Sequence, residues 1–158
     1  MLAELQHLDV ELNGRFTTSD ELKFLGEYLT TVDLRLSAYA KISAADAEIL
    51  DALDKRLLAR FPKLYRKGTR DLAPTCRRDR FEVLRACAAA MLMDDPEGIK
   101  QRLLYWFETV LRAYHDEKEA GLSYQMLQDV LKDYLTPQEA ALMKPILDQC
   151  VEVLGTLG

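Results

Sequence analysis

Apolar residues recur at intervals of three and four along nearly the whole chain, the period of a helix buried on one side, and glycine and proline fall where such helices stop. The pattern predicts an all-α protein with no sheet. A first helix runs from about Ala3 to Asn13 and ends at Gly14, a residue suited to the left-handed conformation of a helix end. The second follows the N-cap candidates Thr17, Thr18 and Ser19, with Leu22, Leu25, Leu29, Val32, Leu36 and Tyr39 on one stripe that must face a partner. Ser43 with Asp46 three residues on offers a restart or a bend. Ile49, Leu50, Leu53, Leu57 and Leu58 then continue the apolar face as far as Pro62.

Residues 62–74 have no period and are bounded by two prolines, so they read as the one substantial loop, of the kind that often borders a site. A helix from about Thr75 to Met93 carries Phe81, Leu84, Ala88, Met91 and Leu92. Another opens with Asp95 as cap and Pro96 at its first position, and its expected stripe is Ile99, Leu103, Trp106, Val110 and Tyr114. After a break at Glu117–Gly121 come Tyr124, Leu127, Val130, Leu131 and Tyr134. Thr136-Pro137-Gln138-Glu139 is a capping box, and the last helix, which Pro145 should kink, ends near Gly155. Seven or eight helices of unequal length without an internal repeat suit a globin-like packing better than a regular bundle.

A chain of 158 residues makes one domain, 1–158, large enough to bury a real core. With 49% apolar and 30% charged residues it is far from the composition of a disordered chain. A net charge of −5 argues against a nucleic-acid partner. The local exception is Lys63, Arg66, Lys67, Arg70, Arg77, Arg78 and Arg80, either a solvated loop and helix start or a holder of the carboxylates of an acidic ligand. Three cysteines without paired or zinc-type spacing fit a reducing, cytoplasmic compartment. The opening MLAELQHLDVEL lacks the basic start and long apolar run of a signal peptide, and no stretch approaches the roughly 20 apolar residues of a membrane span.

The only histidines are His7 and His115, and none lies between Tyr39 and Tyr114, where a globin needs its axial ligand. Heme of the usual globin kind is therefore disfavoured, with Cys or Met ligation left open. No glycine-rich phosphate loop, no HExxH and no cysteine beside a base appears, so neither a catalytic set nor a metal site is expected, and the chain does not read as an enzyme. What stands out is Thr75-Cys76-Arg77-Arg78-Asp79, a thiol, two guanidinium groups and a carboxylate on the first two turns of a helix. A helix N-terminus and nearby cations favour the thiolate, whereas a lone helical cysteine is also often a small core residue.

The form C-x-R-D at Cys76, Arg78 and Asp79 resembles the phycobiliprotein family. Leu84-Arg85 and Asp95 follow at the family's spacing. Upstream, Arg15-Phe16-Thr17-Thr18 with Glu21-Leu22, then Tyr28, Arg35, Ile42 and Pro62, resembles its N-terminal helical hairpin and following helices, and Leu135-Thr136 its late loop. The resemblance is collinear over the whole chain and implies a globin-like all-α fold in which 1–42 form a dimerisation hairpin and first long helix. It implies a linear tetrapyrrole (bilin) of the phycocyanobilin type, in thioether linkage to Cys76, with Arg78 pairing its propionates, Asp79 accepting from its pyrrole nitrogens and Arg77 nearby. It further implies a homo- or heterodimer in which Glu11, or Asp9, meets Arg85, with a bilin lyase or bilin-biosynthesis enzymes as further partners.

The departures from the family pattern shape the functional expectation. Glu82 and Val83 stand where light-harvesting members have two aromatic residues, and Leu103 and Trp106 where they have small glycines. The loop before Cys76 is shorter than usual and lacks a glycine- and asparagine-containing segment. The resemblance thus implies a bilin-binding protein, in light harvesting or as a carrier associated with bilin biosynthesis. The alternative is a chromophore-free globin-like module for dimerisation or sensing, in which Leu103 and Trp106 close the pocket. Trp106 also has a plainer reading, as a core residue.

Overall fold

The helical period becomes helices. A computed structural model describes residues 1–115 and 117–155, without the side chains of Leu2, Ala3, Lys67, Glu117 and Lys118; Lys67 of the basic cluster thus lies outside the described side chains. The helices are α1 (Leu2–Leu12), α2 (Lys23–Ala44), α3 (Asp46–Arg60), α4 (Ala73–Met93), α5 (Pro96–Ile99), α6 (Tyr105–Tyr114), α7 (Glu117–Leu131) and α8 (Pro137–Leu154). Asn13, at φ 42°, takes the left-handed position after α1, and Gly14 comes next at φ 85°. The second helix begins later than its cap candidates suggest. Thr18 and Glu21 instead bond reciprocally across a turn, with Thr18 N donating to Glu21 Oε2 at 2.8 Å and Glu21 N to Thr18 Oγ1 at 3.3 Å.

The helices pack around one core, α7 against α8, α3 against α7, and α4 against both α2 and α8. Leu50, Leu53, Leu57, Leu84, Met91, Leu127, Leu131 and Leu147 fill it and are essentially inaccessible. Two polar devices fix the long helices. Arg35, buried on α2, donates through Nη1 to the carbonyl of Met91 and pairs with Asp94 at 3.0 Å, so a cation sits on the carbonyl end of α4. At α8 the expected capping box is present, Thr136 N donating to Glu139 Oε2 at 2.8 Å and Glu139 N to Thr136 Oγ1 at 3.3 Å. Glu139 is also buried against α2, accepting from Ser37 Oγ at 2.6 Å and Lys41 Nζ at 2.7 Å. Burial works against its charge, but the bonds from Lys41, Ser37 and Thr136 outweigh that and hold its carboxyl at about 2.

Four expectations need correction. The loop before α4 contains a small antiparallel hairpin, β1 (Arg66–Lys67) with β2 (Arg70–Asp71), turned by Gly68 at φ 61°. The stripe of α2 faces outward: Leu29, Leu36 and Tyr39 are exposed, while Arg35, Ala38 and Ile42 face the core. The stripe over 99–114 is broken by a π-turn at Lys100–Leu104, closed by Tyr105 N donating to Lys100 O. One extra residue in the turn rotates the remainder of the helix by about 100°, so Leu104 and Phe107 are buried while Trp106 is 65% exposed and Tyr114 67%. Gly121 does not end a break but lies inside α7, and it is a glycine there because a Cβ would stand 2.8 Å from Gly155 Cα. The chain reversal falls earlier, where His115 adopts φ 57° after α6. Pro145 lies within α8, and the helix runs through it from Pro137 to Leu154.

Candidate functional site

The hairpin delivers the chain to α4 in a fixed pose. Leu72 N donates to Tyr65 O at 2.8 Å, Asp71 Oδ1 accepts from Ala73 N at 3.0 Å, and Cys76 N donates to Leu72 O at 2.9 Å, opening the helix with Pro74 in its first turn. On that helix Cys76, Asp79 and Arg80 stand at i, i+3 and i+4 and share a face. They line a cavity of about 430 Å³ between the hairpin and the start of α4 on one side and α6 and α7 on the other. Its size is ordinary for a small-molecule site. Leu72, Phe107, Val110, Leu111 and Ala120 supply apolar wall, and Thr75, Ser123, Tyr65, Tyr124 and Glu119 supply polar atoms. Tyr65 and Tyr124 are nearly inaccessible, and burial pushes both phenols above their ordinary range, with Arg80 opposing the rise.

The cavity brings together Cys76, Arg78 and Asp79 of the four residues expected at a ligand. Arg78 is 71% exposed and folds onto Asp79, its Nη2 3.0 Å and its Nε 3.2 Å from Oδ1, so the two neutralise each other at the rim. Arg77 is not on the lining. It points to α3, where its Nη1 lies 2.7 Å from Asp51 and 3.1 Å from Asp54, as the roughly 100° step between neighbouring helical residues requires. In its place stands Arg80, which the sequence offered only as one of a basic cluster. It is 6% exposed, with Nη2 2.5 Å from Asp54 Oδ1 and its guanidinium 5.0 Å from the centre of the Tyr65 ring. The i+4 spacing from Cys76 was the available signal.

Lys63, Arg66 and Arg70 are exposed and do not line the cavity, contrary to the idea of basic residues at its mouth. Leu103 and Trp106 do not fill it either, since the π-turn swings Trp106 outward and puts Phe107 on the wall. Val83 is in the core and Glu82 at the surface, paired with Arg85 at 3.6 Å. The three residues expected at a subunit interface are surface groups: Glu11 lies 3.4 Å from His7, Asp9 is exposed, and Arg85 also covers the Phe81 ring at 5.4 Å. Among the described residues neither acid pairs with Arg85. His7 and His115 are both at the surface.

Among the described residues no three His, Cys, Asp or Glu side chains gather as metal ligands, and no helix is long and apolar enough to cross a membrane. The family model described as "Phycobilisome protein" matches residues 7–154. No curated protein matches the chain.

Proposed function

This chain belongs to the phycobilisome protein family, and on that premise we propose that it binds a bilin of the phycocyanobilin type in the cavity beside α4, without turnover, in light harvesting or as a carrier associated with bilin biosynthesis. One observation carries the reading. Cys76, Arg78 and Asp79, three residue types that a linear tetrapyrrole would engage, meet on the wall of one largely apolar cavity. The donor set fits such a ligand: a thiol for covalent attachment, a guanidinium for a propionate, and a carboxylate for the protonated pyrrole nitrogens.

The pigment supplies the visible absorption, and the chain's residues attach it, orient it and hold its charge. The Cys76 thiol would add across an exocyclic double bond, the S–C bond forming at one carbon while the thiol proton ends on the other. Its place in the first turns of α4 favours the thiolate needed for that addition. Arg78 would leave Asp79 for a propionate, at little cost because an exposed ion pair is worth about 0–1 kcal/mol. Asp79, released, would face the nitrogens. Phe107, Val110 and Leu111 exclude water from the apolar rings.

The rival picture of a chromophore-free module rested on Leu103 and Trp106 closing the pocket, and neither lines it. For assembly, the exposed stripe of Leu22, Leu29, Leu36 and Tyr39, with Val10 80% and Phe16 99% exposed, supports a homo- or heterodimer through residues 1–42. Glu11 or Asp9 would then meet Arg85 of the other subunit. A bilin lyase or bilin-biosynthesis enzymes would be the partners that deliver the pigment.

Producing the protein in cells that make phycocyanobilin, beside a Cys76→Ala variant, tests the reading through absorption and intact mass. An adduct lost in the variant establishes covalent attachment at Cys76, and absorption without an adduct establishes a noncovalent carrier. Folded but colourless protein, with a competent lyase present, rejects the proposal.

A further inference from the structure

Arg80 holds a buried charge that its protein partners satisfy only in part. Its Nη2 is given to Asp54, but Nε is buried with no acceptor among the described residues. Asp54 has little left to offer, because it already takes Tyr65 Oη at 2.8 Å and Arg80 Nη2 at 2.5 Å on Oδ1, and Arg77 Nη1 at 3.1 Å on Oδ2. A strut joining α3 to α4 needs Nη2 and the contact with the Tyr65 ring. It does not need a bare Nε–H, and a buried donor without a partner is destabilising. The same side chain lines the cavity one turn, or about 6 Å, further along α4 than Cys76, and it is buried where Arg78 is exposed.

We infer that Arg80 is the inner anion anchor of the cavity, taking one carboxylate of an elongated apolar ligand whose other carboxylate meets the exposed Arg78. The inference rests on the proposed bilin site and adds to it a residue that discriminates among ligands. A dianionic tetrapyrrole with both propionates free engages both guanidinium groups, whereas its dimethyl ester offers Arg80 no anion. Phe107, Val110 and Leu111 opposite α4 dry the pocket, which strengthens a guanidinium–carboxylate contact there relative to the one at the rim.

The test uses the full chain labelled with ¹⁵N and two probes: biliverdin, as the free acid and as its dimethyl ester, and anilinonaphthalene sulfonate, an apolar anion unrelated to pigments. The Nε–H resonance of Arg80, identified by its loss in Arg80→Lys, should move on adding either anion and stay in place with the ester. Arg80→Gln should weaken both anions tenfold or more, and Arg80→Lys should restore part of that. Should Arg80→Gln fail to fold, the resonance of the wild-type chain decides alone. Anilinonaphthalene sulfonate acting through Arg80 while biliverdin is ignored keeps the anchor and removes the bilin reading. An unmoved resonance, equal affinity in Arg80→Gln, or no binding of either anion overturns the anchor.

Discussion

Arg78 Nη2 lies 3.0 Å from Asp79 Oδ1, so the two charged residues of the cavity rim hold each other. A ligand carrying both an anion and protonated nitrogens competes for both at once. Asp79→Asn should then weaken biliverdin by about 10-fold or more, the scale of a charge-assisted hydrogen bond, and lower the pH at which the bound pigment loses its proton. A spectroscopic pH titration of the bound pigment reads both effects, and an unchanged midpoint would remove Asp79 from the nitrogens.

Cys87 and Cys150 are buried thiols with their sulfurs 3.4 Å apart, and the hydrogen bond between them, together with burial, pushes the Cys87 thiol well above its ordinary range. Cys76 is only partly covered. A disulfide reagent at neutral pH should therefore modify one cysteine of the native chain, at Cys76, and the other two only after denaturant is added. Peptide mapping after a short exposure shows which thiol reacted.

The carboxyl of Glu139 stands at about 2, down from 4.5, so its ionised form stabilises the fold above about pH 4.5. A depressed folded-state pKa means that this contribution is lost as the pH falls from there through about 2. Glu139→Gln should be less stable than the wild type at neutral pH, and the gap should close on acidification. Urea midpoints measured between pH 7 and pH 2 give the comparison, and a gap constant across that range contradicts the assignment.

Arg35→Ala removes a buried guanidinium from the Met91 carbonyl and from Asp94. A loss of about 1.5–3 kcal/mol is expected, the worth of hydrogen bonds to a charged group. It should appear as a lower urea midpoint with an unchanged slope.

Gly121→Ala places a methyl 2.8 Å from Gly155 Cα, where backbone and not a flexible side chain must yield. Overpacking at the α7–α8 contact should cost about 1–3 kcal/mol and lower the thermal midpoint. Gly26→Ala, on the open face of α2 with no atom of the described residues within 4 Å of the added carbon, should not destabilise the fold and serves as the control.

The sequence by itself determined the helices and most of their ends, because helix periodicity and capping are local. Thr136 with Glu139, Asp95 before Pro96, and the face of Tyr124, Leu127 and Leu131 on α7 could be read from spacing alone. It also marked Cys76, Arg78 and Asp79, three residues within one turn of one helix. Tertiary structure decided the rest. A single π-turn moved Trp106 from the expected core to the surface, an effect of one residue that a three-and-four pattern does not register. The stripe of α2 is as apolar as a core face, and only the placement of α4 and α8 against its other side shows that it is left uncovered. Gly121 read as a break because its reason, the Gly155 backbone 34 residues later, is not local. For the cavity, the choice between Arg77 and Arg80 depended on where α3 put Asp51 and Asp54, which drew one guanidinium away and left the other on the wall.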